Sequence, residues 1–95
     1  MFLNKYLNEF YYDLIINNYE EDFLNTLDEK KFIYNYYIFK KYNFYFINDI
    51  ILKYLELFNV DSNELISGIE KLKIKLGENY VYKIGNNLTY LDELI

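Results

Sequence analysis

Five carboxylates fall within the eleven residues "YEEDFLNTLDE", Tyr19 to Glu29, and no cation lies among them. Clustered carboxylates can do three kinds of chemistry. Two in one cleft with different environments can share acid–base work, as in glycoside hydrolysis. Several with alternating spacing around a central Gly can hold calcium, but this stretch has neither the alternation nor the Gly. On an open surface, a block of like charge steers a basic partner and rejects acidic ones. The last reading suits Glu20, Glu21, Asp22, Asp28 and Glu29 best, because a short, mostly helical chain leaves little room for a catalytic cleft. The plain alternative is a solvated loop followed by an ordinary helix start.

The rest of the chemical inventory is narrow. The 95 residues include no Ala, Arg, Gln, His, Pro, Cys or Trp. Several of these use GC-rich codons, so part of the Asn and aromatic excess reads as the imprint of an AT-rich genome. Without His or Cys there is no Ser-His-Asp or Cys-His catalysis and no zinc site of the usual kind. Without Arg there is no bidentate fork for phosphate or carboxylate. No cofactor or metal motif is present, and a non-enzymatic role is expected.

The second feature is "FIYNYYIFKKYNFYF", Phe32 to Phe46, with nine aromatic rings in fifteen residues. Rings interleaved with lysines can stack single-stranded bases. Lys40 and Lys41 alone supply too little positive charge for that in a chain of net charge −5. Thirteen Tyr and eight Phe also exceed what a core of this size can hide. Phe32, Tyr36 and Phe39 share one helical face and are assigned to the core. Tyr34, Tyr37, Tyr42 and Tyr45 are assigned to a protein-binding surface, where tyrosine supplies large contact area with few torsions to immobilise.

Charge is uneven along the chain. Residues 1–31 carry seven acids and three lysines, 32–60 two acids and three lysines, and 61–95 six acids and four lysines. Such a balance is repelled by phosphates and anionic lipid and attracted to basic surfaces. No apolar run approaches the length that spans a bilayer, and the first residues lack a signal-peptide pattern. A cytoplasmic protein in a bacterial cell, with a phage as one source of the gene, is the expectation, with no direct contact to nucleic acid or membrane.

The elements that must position these residues read as mainly α: about four helices with a short C-terminal β-hairpin or extended element, in a single compact domain over 1–95. Leu3, Leu7, Phe10 and Leu14 form one apolar stripe and predict a helix from Phe2 to Ile16. Phe23, Leu24 and Leu27 offer a short apolar turn. Thr26 and Glu29 have capping-box spacing and start a second helix near Leu27, which Asn43 ends. Ile47, Ile50, Ile51, Tyr54 and Phe58 predict a third. Asp61 with Glu64, and Val60 with Leu65, give a capping box and a hydrophobic staple for a fourth, with its stripe at Leu65, Ile69, Leu72 and Leu76 and its end at Gly77. Lys71, Lys73 and Lys75 suit the negative end of that helix dipole. Tyr80, Tyr82 and Ile84 alternate with Val81 and Lys83 before Gly-Asn-Asn, which predicts a hairpin; a last helical turn from Thr89 is the alternative.

Small size, acidity and the missing catalytic side chains together point to a protein that binds and blocks a larger basic, nucleic-acid-handling protein. Phage anti-defence (anti-CRISPR-type) inhibitors and toxin-immunity proteins are the classes with that description. The alternative is a structural subunit that assembles as a homo-oligomer, with a homodimer as its simplest form.

Overall fold

The computed structural model describes Met1–Ile95 and is helical throughout, with no strand. Six α-helices run in chain order: α1 (Glu9–Asn18), α2 (Glu21–Leu24), α3 (Glu29–Lys41), α4 (Ile47–Lys53), α5 (Ser62–Leu76) and α6 (Tyr80–Asn86). Short 3-10 segments, Phe2–Lys5, Leu55–Phe58 and Leu88–Leu94, complete it. The mainly α expectation therefore stands, while the number of helices exceeds four and the C-terminal hairpin is replaced by helix.

The hairpin fails because alternation over five residues is also compatible with a helical face. Tyr80 and Ile84, one turn apart, are buried, and Tyr82 between them is exposed. An isolated two-stranded ribbon would need further packing for its backbone groups, whereas α6 satisfies its own. Asn87 then ends α6, and its side chain accepts from the Thr89 backbone N–H to start the Leu88–Leu94 segment.

The first predicted helix is broken in two. Asn8 caps α1 by accepting from the Tyr11 backbone N–H at 3.0 Å, and the chain turns there. Leu3 and Ile15 reach the core as a result, and Phe10 points to solvent. The third predicted helix also breaks, at Tyr54. Leu55, Leu57 and Phe58 are all fully buried, which the tighter Leu55–Phe58 turn accommodates. The Tyr19 hydroxyl bridges the break, donating to the Leu52 carbonyl at 2.9 Å and accepting from the Leu55 N–H at 3.4 Å.

Thr26 and Glu29 do not form a capping box. Thr26 Oγ1 instead donates to the Phe23 carbonyl at 2.6 Å, and Asp28 caps α3 by accepting from the N–H groups of Lys30 and Lys31. Asn59 holds this entry in place: its Oδ1 accepts from the Asp28 N–H and its Nδ2 donates to the Thr26 carbonyl.

The exit of α3 is a Schellman motif built on asparagine. Asn43 has φ 66, the Phe44 N–H bonds back to the Phe39 carbonyl, and the Asn43 N–H bonds to the Lys40 carbonyl, each at 3.0 Å. The accompanying apolar contact is the Phe39–Phe44 ring pair, 5.2 Å between centroids.

Helix α5 follows its sequence signals in the main, although Asp61 caps it without a return bond from Glu64 and Leu76 is half-buried. Asp61 accepts from the N–H groups of Asn63 and Glu64, Leu65, Ile69 and Leu72 are buried, and Gly77 (φ 87, ψ −165) ends the helix. That backbone region is essentially reserved for glycine. Helix α3 packs on α5 and on Leu55–Phe58, α5 on α6 and Leu88–Leu94, and α1 on α4. One cluster of 20 buried apolar residues joins these elements.

Candidate functional site

Helix α3 divides the aromatic stretch between inside and outside. Phe32 and Phe39 are buried and pack their rings against Phe58 at 5.2 and 5.3 Å, with Tyr36 half-buried beside them. The opposite face carries Tyr34, 65% exposed, and Tyr37, 68% exposed, with Ile33 also exposed between the same turns. These residues sit one helical turn apart and therefore share a face.

Between that face and α5 lies an open groove of about 580 Å³. Tyr34, Tyr37 and Tyr42 line it, with buried Ile38, half-buried Ile66 and the Lys41 stem completing the lining. Tyr42 is half-buried rather than exposed, because its hydroxyl donates to Glu70 of α5 at 3.2 Å. Burial, followed by the Glu70 hydrogen bond and charge, pushes the Tyr42 hydroxyl pKa up.

Tyr45 is 71% exposed but belongs elsewhere. It lies next to α6, where its hydroxyl and the Phe46 ring approach Gly85 so closely that a Cβ there would stand 2.8 Å from the hydroxyl. The four candidate tyrosines thus form a set of three around one groove and a separate fourth.

The carboxylate cluster also divides. Asp28 is used as the α3 cap, and Glu29 pairs with Lys5 at 3.4 Å while accepting from the Tyr6 hydroxyl at 2.9 Å. The sequence places no cation within Tyr19–Glu29, but the fold brings Lys5 to it from the N-terminal segment. Glu20, Glu21 and Asp22 are exposed at the start of α2 and make no ion pair. Glu21 borders a second groove of about 570 Å³, lined by apolar residues that include Ile16 and Leu27.

Neither carboxylate group gathers as a reaction centre would. No three of them converge on a point that could hold a cation, and no hollow of the surface is lined by two. The most displaced tyrosine is Tyr54, whose hydroxyl donates to Asp92 at 2.8 Å; burial first, then that bond, pushes it up to about 12. It ties α4 to the C-terminal segment.

One polar residue outside the candidate set is important. Asn35 is fully buried on the inner face of α3. Its Nδ2 donates to the carbonyls of Leu57 at 3.2 Å and Val60 at 2.9 Å, and its Oδ1 accepts from Ser62 Oγ at 2.7 Å. It thereby fixes the back of α3, and with it the register of the tyrosine face against α5. An i+3 run of Phe32, Asn35 and Ile38 through an otherwise apolar face was the available clue.

No family model matches the chain, and no curated protein or solved structure matches it.

Proposed function

We propose that this chain is a non-enzymatic protein-binding protein, an inhibitor or neutraliser of a larger basic, nucleic-acid-handling protein of the anti-defence or toxin-immunity kind. The observation that carries the binding role is the groove between α3 and α5, where exposed Tyr34 and Tyr37 stand beside exposed Ile33. An exposed apolar and aromatic patch of this sort costs solubility unless something covers it. The basic character of the partner is supported by Glu20, Glu21 and Asp22, which are exposed and unpaired in a chain of net charge −5. Glu29 and Asp28 contribute to the local field but are held by internal bonds. Such a protein works in the cytoplasm beside its target and needs no cofactor.

Capture from a low-GC bacterial lysate tests this directly. The expected catch is a cationic nucleic-acid-handling protein, lost when Tyr34 and Tyr37 are replaced by Ser and released by salt. Recovery of metabolic enzymes alone removes the proposal's basis.

A further inference from the structure

The net charge conceals a separation that the fold turns into two surfaces. From Glu9 to Leu24, α1, α2 and the link between them carry Glu9, Asp13, Glu20, Glu21 and Asp22 and no lysine. From Glu29 to Lys41, α3 carries four lysines against Glu29, which Lys5 already neutralises. Lys30, Tyr34, Tyr37 and Lys41 follow one another along the outer line of α3, so the tyrosine groove has a basic rim. Glu70 of α5, beside the groove, is taken by Tyr42 of its lining.

The solvent face of α1 is complementary to that groove. Phe10 is 66% exposed, and Glu9 and Asp13 are exposed on the same side of the helix. An apolar anchor flanked by acids is what a groove of apolar lining and lysine rim accepts in helix-in-groove recognition. The α1 helix cannot reach the groove of its own chain, since it packs on α4 and contributes no residue to the groove lining. We propose that the occupant is α1 of a second copy. Reciprocal exchange, with each α1 in the partner's groove, closes as a two-fold dimer without leaving an open end. This inference rests on the reading of the groove as a protein-binding surface. The second copy and the basic partner therefore compete for the one groove, while Glu20, Glu21 and Asp22 lie outside its lining and steer the basic partner in either case.

Charge-swap rescue tests it. Sedimentation equilibrium of the wild type is expected to show a mass rising with concentration from 11.8 kDa towards twice that value, and falling back in high salt. The pair Glu9→Lys with Asp13→Lys, and separately Lys30→Glu with Lys41→Glu, each weaken self-association about tenfold or more, because like charges then face one another. Mixing the two variants restores a heterodimer, since both contacts are again of opposite sign. Phe10→Ser abolishes it. Circular dichroism checks that these surface variants remain folded. A wild type that stays monomeric at all concentrations, a mixture that does not re-form the dimer, or a dimer indifferent to Phe10→Ser overturns the proposal. If the wild type is monomeric yet Tyr34→Ser with Tyr37→Ser still loses a captured partner, the dimer is wrong and the binding reading stands. Resonance shifts at Tyr34 and Tyr37 on adding a single-stranded oligonucleotide, with none on raising protein concentration, also overturn it.

Discussion

Replacing Asn35 with Ala removes a side chain that terminates three hydrogen bonds, and the consequence can be followed partner by partner. Ser62 is half-buried and turns its hydroxyl to water with little loss. The Val60 carbonyl is in a half-buried residue and is partly hydrated once the amide is gone. The Leu57 carbonyl lies in a fully buried residue and is left without its donor, at about 1–3 kcal/mol for an unsatisfied buried group. Adding the modest loss at Val60 and the unfilled amide volume brings the expected total to about 2–4 kcal/mol. With a urea m-value of about 2 kcal/mol/M, the unfolding midpoint falls by about 1–2 M. Asn35→Asp places a carboxylate against two carbonyls at neutral pH. Its folded-state pKa is then raised, so the lost stability returns partly as pH falls and the protonated acid donates one bond. Urea titration followed by circular dichroism reads both. A change under about 0.5 kcal/mol for Asn35→Ala would refute the reasoning, since it would mean that water replaces the amide freely.

Three further outcomes follow from named features. Asn43→Gly is neutral or stabilising by a few tenths of a kcal/mol to about 1 kcal/mol, and Asn43→Val destabilises by about 1–2 kcal/mol, because the site demands φ 66; thermal melts distinguish them. Gly77→Ala costs about 1–3 kcal/mol although nothing stands within 4 Å of the added carbon, since the strain is in the backbone alone. Tyr54 is held above its unfolded pKa of 10.0, at about 12, so its contribution is complete below pH 10 and disappears as pH rises through 12; Tyr54→Phe should flatten the alkaline loss of stability in that window.

Legibility in the sequence varied with how local the determining physics is. Helix α5 was readable end to end, because a carboxylate cap, a four-residue stripe and a glycine stop all lie within the segment itself. The stop at Asn43 was equally local. The hairpin misreading arose from the opposite situation: Tyr80 to Ile84 fits both periods, and the choice is made by the surfaces of α5 and the Leu88–Leu94 segment packed against α6. The stripe from Leu3 to Leu14 did not hold, because it crossed a cap at Asn8; the turn there leaves Phe10 in solvent and buries Leu3 and Ile15 on different elements, which outweighed one continuous helix.

At the site, the split of the aromatic stretch into a Phe32/Phe39 face and a Tyr34/Tyr37 face follows from helical spacing. What spacing could not supply was the Lys5 partner of Glu29, 24 residues away, or the Glu70 partner of Tyr42, 28 residues away. Nor did the overall charge reveal that lysines gather around the tyrosines while free carboxylates gather at α2.

The most direct measurement is the association rate of the captured partner as a function of ionic strength, for the wild type and for Glu20→Lys with Glu21→Lys and Asp22→Lys. The account predicts a wild-type rate that falls steeply with salt, and a variant rate about tenfold lower or more at low salt with a nearly flat salt dependence. Equal rates with equal salt dependence would contradict it.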